Sequence, residues 1–328
     1  MRSREIWLAL MALLLVIVFA ISTLSGRFPQ PGLQSPTMIL QEGIHRNILL
    51  QIRLPRVVMS LILGASLSLA GLVFQTILNN PMVEPGFLGV SQGASFGAAL
   101  AILLLGGNQT MIQILAILFG MGGLFLSMLL ARTLDVGHWV MRLVLAGIAI
   151  SALFSSGLGM LKYYADRMER LPTLTFWLLG STARVTWKTV LPIIPPILFA
   201  ATILLVLRWR LNLLSLDDET AHSISVNVKR ERTIFLICAV VVTALCISVC
   251  GLVGWVGMII PHLCRKVFGA NTRYTVPASI LLGGILMMVC DDIARVLFPA
   301  EIPLGVVTAI IGASLFIPIM SSFSRSSQ

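Results

Sequence analysis

Charge is what this sequence has least of. Only 11% of its 328 residues are Asp, Glu, Lys or Arg, less than half of the roughly 25% found in soluble domains. With 57% hydrophobic residues, the chain cannot furnish a polar surface for a water-soluble globule, so lipid must cover much of it. A Gly-x4-Gly-Lys-Ser/Thr phosphate loop is missing, which moves any nucleotide to another chain. Cys-x-x-Cys is missing too. The five cysteines (Cys238, Cys246, Cys250, Cys264, Cys290) lie in or beside apolar stretches, and free Cys packs as a small hydrophobe. The histidines His45, His138 and His222 are scattered without metal-ligand spacing. His262, which follows Pro261, reads as hydrogen-bonded structure at a helix end. No acid–base, nucleophile or metal cluster supports an embedded enzyme, and nothing suggests nucleic acid. The net charge of +10 suits anionic headgroups.

What is present is a series of stretches free of Asp, Glu, Lys and Arg: 6–26, 57–83, 85–131, 143–161, 189–207, 233–264, 274–290 and 302–324. A spanning helix needs about 20 residues, so six of these fit one helix each. Stretch 85–131 is long enough for two, divided at Gly106-Gly107-Asn108-Gln109-Thr110. Stretch 233–264 is divided by Gly251, Gly254, Gly257 and Pro261 into a full helix and a shorter, broken one. The reading is ten crossings in one membrane domain, 1–328. Residues 6–26 exceed a signal-peptide core of about 7–15 residues, so a retained helix is expected there.

An even count puts both termini on one side. With both termini cytoplasmic, 13 of the 23 Lys and Arg fall inside and 10 outside, a small positive-inside bias. Something therefore retains arginine on the outer face. The interiors of the apolar stretches carry no ionisable residue, whereas ion-coupled carriers usually keep one there. The energy for transport should then come from elsewhere. Backbone carbonyls can bind sodium, so an ion-coupled secondary transporter stays open as the alternative.

The polar stretches divide the chain by role. Residues 27–56 are external and contain Arg53-Leu54-Pro55-Arg56. Residues 79–89, with Pro81 and Pro85, form a tight turn near the inner surface, because two such prolines cannot sit inside a continuing helix. The external loop 162–188 holds the apolar piece 171–183, too short to span and expected to be interfacial or re-entrant. The largest cytoplasmic loop, 208–232, places Ser215, Asp217 and Asp218 ahead of a short polar run, which is helix-capping chemistry. Small residues at helical spacing, Gly64, Ser68 and Gly71, then Gly89, Gly93 and Gly97, predict close helix packing.

Read in order, several strings resemble the FecCD-type permeases, the membrane subunits of ABC importers that include the vitamin B12 importer permease. They are Arg53-Leu-Pro-Arg56; Gly64-Ala65 to Gln75; Asn80-Pro81-x3-Pro85-Gly86-x2-Gly89; Phe176-Trp177-Leu178-Leu179-Gly180-Ser181; and Leu211-Asn212-Leu213-Leu214-Ser215-Leu216. Gly254-Trp255-Val256-Gly257-Met258-Ile259-Ile260-Pro261-His262-Leu263-x-Arg265 is the strongest block. Asp292-x2-Arg295 and Glu301-x-Pro303-x-Gly305-x2-Thr308-Ala309-x2-Gly312 close the series. Ser225 stands where the family usually has Gly, Asn271 where Asp is frequent and Ser314 where Pro is frequent.

The resemblance implies an all-α polytopic bundle of the type II importer kind, not an enzyme, in the cell inner membrane. It implies two copies around a central path lined by 143–161, 171–183 and the last helix. Each copy would bear a cytosolic ATPase that holds ATP-Mg, this chain holding no cofactor, and an external binding protein would dock on top. The cargo would be a ferric siderophore, haem or cobalamin, with molybdate or another oxyanion as the alternative. Arg53, Arg56 and Arg295 become candidate docking residues matched to carboxylates. The ATPase coupling helix maps to Leu216, Asp217, Asp218, Glu219, Thr220, Ala221, His222, Ser223, Ile224, Ser225 and Val226. Asn80 and Met82 match the inner gate.

Overall fold

Helices occupy the charge-free stretches, because a chain surrounded by lipid must satisfy its backbone N–H and C=O groups internally. A computed structural model of the protein describes residues 2–28, 30–35, 43–214, 227–297 and 300–326. The elements are α1 (Arg2–Leu24), a two-residue antiparallel pairing of Ser25–Gly26 with Gly32–Leu33, and α2 (Ile44–Ile77). Then come α3 (Val90–Leu104), α4 (Gln109–Thr133), α5 (Trp139–Tyr164), α6 (Arg170–Leu178) and α7 (Trp187–Val190). They are followed by α8 (Ile194–Val206), α9 (Arg208–Leu214), α10 (Val228–Cys250), α11 (Val256–Phe268), α12 (Thr272–Val296) and α13 (Leu304–Ser326). The protein is an all-α polytopic membrane protein.

Six helices, α1, α2, α4, α5, α10 and α12, are long and apolar enough to cross a bilayer, and α8 with α9, bent by 60°, can supply a seventh. The remaining segments of the ten are the apolar helices α3 and α13 and the 13-residue α11. At 1.5 Å per residue, α11 spans about 20 Å, short of a hydrocarbon core of about 30 Å. The count of ten therefore rests on short and broken elements as well as full spans.

Local chemistry sets the boundaries. Asn108, Asn227 and Asn271 cap α4, α10 and α12 by accepting from the N–H groups of Thr110 (2.9 Å), Arg230 (3.1 Å) and Arg273 (2.9 Å). The apolar piece expected over 171–183 is helical only to Leu178. Gly180, at φ +71°, takes the left-handed conformation that closes a helix. The chain then turns back to α10 and α13: Ser181 N–H donates to Cys250 O (2.8 Å) and Leu304 N–H to Gly180 O (2.9 Å).

The centre of the bundle is α2, 78% buried over its apolar window, as is α10, whereas α1 buries only 6% and lies at the periphery. α2 meets α11 and α12 through backbone contact. A Cβ on Gly71 would collide with the Gly257 carbonyl, so this crossing admits only glycine. Such small-residue contacts supply helix association where lipid offers no hydrophobic drive. Pro261 sits inside α11 and lacks an N–H, which frees the Gly257 carbonyl four residues earlier. Gln75 of α2 fills that vacancy, its Nε2 donating to Gly257 O (3.2 Å) and Met258 O (3.0 Å). The polar residue near the C-terminal end of α2 thus mends a helix defect.

Candidate functional site

Polar chemistry collects at the two ends of the bundle. At one end, α1 finishes, α2 begins, and α12 meets the connection to α13. Here α2 is π-helical over Ile48–Arg53, a wide turn that often accompanies functional positions. Arg53 and Arg56, three residues apart, point inward from the same face. Arg56 Nε donates to both oxygens of Asp291 (3.0 and 3.1 Å) and its Nη1 to both oxygens of Glu301 (2.9 and 3.0 Å). Asp291 also accepts from Thr182 Oγ1 and lies 3.8 Å from Arg295 Nε. Arg295 pairs with Asp292 through Nε (3.2 Å) and Nη2 and donates to Ser22 O. Ser22 Oγ returns to Asp292 Oδ2 at 2.5 Å. Arg53 donates to Leu24 O (3.1 Å) and Phe28 O (2.7 Å).

Arg53, Arg56 and Arg295 are 5%, 7% and 5% exposed. These are the three residues expected to meet a partner's carboxylates; in the structure their guanidinium groups face carboxylates and carbonyls of the same chain. The chain supplies its own acceptors, and a buried guanidinium without them would be prohibitively desolvated. The network ties α1, α2, α12 and the 180–186 segment together. Asp291 was not singled out from sequence, although an Asp-Asp pair closing an apolar stretch, four residues before Arg295, is a readable signal.

At the opposite end, Asn79 (φ +47°) turns the chain after α2. Asn80 Oδ1 accepts from Met82 N–H (2.9 Å), and Asn80 N–H donates to Gln75 O (3.1 Å). Asn80 and Met82 are both exposed on this turn. Glu84, the one charge between residues 57 and 131, accepts from the Trp255 N–H at 3.2 Å. Trp255 begins α11 and packs edge-on to Phe316 of α13, 6.1 Å between ring centres. The turn after α2 is thereby linked to α11 and α13. Sequence reasoning left Glu84 in a loop, although its isolation in a long apolar run marked it.

The candidate coupling helix, 216–226, lies outside the described residues. Its flanks are firmly held. Arg210 on α9 pairs with the buried Glu231 on α10. Asn212 Oδ1 accepts from Thr272 N–H (3.0 Å), and Thr272 Oγ1 donates to Arg208 O (2.6 Å), joining α9 to the start of α12. The residues flanking this segment thus tie α9 to α10 and α12. All five cysteines are buried and free, His262 is buried, and among the described residues no group of His, Cys, Asp or Glu could hold a metal ion.

The sequence model of the FecCD transport family matches residues 13–322. The chain belongs to the FecCD transport family. It is 39% identical over 313 residues to the molybdate import system permease protein MolB of Haemophilus influenzae, covering 93% of this chain and 92% of that one. It is 38% identical over 271 residues to the probable iron chelatin transport system permease protein of Helicobacter pylori, covering 82% and 81%. A solved metal-chelate type ABC transporter in an inward-facing conformation shares the fold, with TM-score 0.89 and 38% identity over 97% of this chain and 99% of that one. As a FecCD member the protein is a multi-pass ABC importer permease and not an enzyme; ATP hydrolysis in such importers belongs to separate subunits.

Proposed function

We propose that the protein carries a metal chelate (ferric siderophore, haem or cobalamin) across the inner membrane as one half of a homodimeric path. A cytosolic ATPase drives it, and an external binding protein delivers the cargo. The observation that carries this reading is the near-complete match, in fold and length, to a metal-chelate type ABC transporter. With both termini in the cytoplasm, the 208–232 loop faces the ATPase and the arginine network faces outward.

Each element has a part in this scheme. Helices α5 and α13 line the path; their exposed faces carry Leu153, Ser155 and Met160, and Ile310, Ser314 and Ile317, small or apolar groups suited to passing a large cargo without holding it. Segment 216–226 receives the ATPase stroke, and the Arg210–Glu231 pair transmits it. Asn80 and Met82 close the inner end. The binding protein docks over the arginine network, touching exposed cations such as Arg46, Arg184 and Lys188, while Arg53, Arg56 and Arg295 hold that surface from beneath.

The similarity to a molybdate permease over 93% of the chain favours a second reading, an oxyanion importer of the same architecture. Two measurements test the proposal. The ATPase subunit should co-purify with the permease, and the cognate binding protein should bind a chelate in calorimetry. Binding of molybdate but no chelate would establish the second reading, and failure to recruit any ATPase would sink both.

A further inference from the structure

Among the described residues, two that are not glycine have positive φ, Asn79 (φ +47°) and Trp255 (φ +73°). Both belong to the junction where the turn after α2 meets the start of α11. Asn visits the left-handed region readily, because its side chain is short and polar. Trp does not, and a bulky residue there marks strain that its surroundings impose. Each handle on Trp255 is taken. Its N–H donates to Glu84 Oε2 (3.2 Å). Its C=O accepts from the N–H groups of Met258 (3.1 Å) and Ile259 (2.9 Å), the first bonds of α11. Its side chain lies on Gly312 of α13, where a Cβ would stand 2.6 Å from Trp255 Cβ, and its ring meets Phe316 edge-on. The first hold comes from the turn that carries Asn80 and Met82; the others come from α11 and α13.

We infer that Glu84 is a positioning residue of the transport gate: its carboxylate latches Trp255 in the strained conformation and so locks the Asn80–Met82 turn to α13 in the inward-facing form. The inference rests on the reading of this chain as half of an ATP-driven path, and the fold matches a transporter in an inward-facing conformation over 97% of its length. An ordinary N-cap is a local residue in extended conformation. Here the acceptor lies 171 residues away in the chain, and the capping position is strained, which opposes helix formation instead of aiding it. Burial pushes the Glu84 carboxyl above its ordinary range, and the Trp255 N–H offsets part of the rise. A desolvated acceptor that loses its donor is strongly disfavoured, so the contact is either made or fully exchanged. Strain on one side of the contact and desolvation on the other give two discrete arrangements, as a gate requires.

The test uses the full-length permease with its ATPase, carrying 5-fluorotryptophan, and follows the fluorine line of Trp255 as Mg-ATP is added with vanadate. Trp255→Phe assigns the line. The expected result is one position without nucleotide and a second at saturating ATP. Glu84→Asp keeps the charge but falls one methylene short, whereas Glu84→Gln keeps the reach and an acceptor without the charge. Glu84→Asp should lie partly at the second position before ATP is added and reach half-conversion at about one tenth of the parent's ATP concentration. That is the effect of losing about one hydrogen bond to a charged group. Glu84→Gln should stay near the parent. Gly312→Ala, which crowds Trp255 from α13, should shift the midpoint in the same direction, and serves where the Asp variant fails to fold. A Trp255 line that ATP does not move, in a complex that hydrolyses ATP, marks a fixed cap and overturns the inference. So does conversion by Glu84→Asp at the parent's ATP concentration, and so does loss in Glu84→Gln with retention in Glu84→Asp, which makes charge the property in use. Absence of any co-purifying ATPase sinks the importer reading instead. The nucleotide-free spectra need no ATPase, so a Trp255 line identical in Glu84→Asp and the parent marks failure of this inference by itself.

Discussion

Replacing Arg56 by Met asks whether the arginine network is a brace or a docking device. Asp291 is fully buried and takes both its oxygens to Arg56 Nε, at 3.0 and 3.1 Å. Breaking such a pair leaves an uncompensated buried charge, typically a loss of about 3–5 kcal/mol. Asp291 keeps Thr182 Oγ1 and Arg295 at 3.8 Å, so the expected loss lies at the lower edge, about 3 kcal/mol. The Arg56–Glu301 arm adds little, since the Glu301 side chain is 43% exposed and solvated pairs contribute about 0–1 kcal/mol. Asp291→Asn should cost about 2 kcal/mol, because Arg56 retains Glu301 and Arg295 retains Asp292. The double variant should be less destabilised than the sum by about 2 kcal/mol, a coupling expected of direct partners. Unfolding by SDS in mixed micelles, followed by tryptophan fluorescence, reads all four proteins. If Arg56→Met unfolds like the parent while binding-protein affinity falls tenfold, the brace account is wrong and Arg56 is a docking residue.

Two further outcomes follow from the packing. Gly71→Ala places a methyl group on the Gly257 carbonyl; overpacking of about 1–3 kcal/mol should lower the yield of monodisperse protein, with Gly122→Ala, where space is open, as the silent control. Arg210→Glu should depress ATP-driven uptake several-fold by setting like charges across the loop flanks, and the swap Arg210→Glu with Glu231→Arg should restore much of it. Uptake indifferent to both variants would remove the pair from the coupling route.

Much of the fold was legible because lipid makes the placement of charge collinear with the crossings. The turn at 106–110 and the break at 251–255 could be read from glycine, asparagine and proline alone. The end of α6 could not, since Gly180 stops that helix in order to meet Cys250 and Leu304, which are distant in sequence. The same limit hid the fate of the arginines. Arg56 is conspicuous near an apolar stretch, but its acceptors, Asp291 and Glu301, lie 235 and 245 residues away. A cation with no visible local partner looks available when it is not. Gln75 is visibly polar in an apolar stretch, yet its task follows only from the neighbourhood of Pro261 across the helix interface.

Under the proposed function, ATP hydrolysis on a partner chain, and no ion gradient, should move cargo through this protein. Proteoliposomes holding the permease with its ATPase, supplied with the binding protein and its ligand outside and ATP inside, measure it directly. Uptake should require ATP and the ATPase and persist when an ionophore collapses the proton gradient. Uptake that continues without the ATPase and disappears with the gradient would contradict the proposed function.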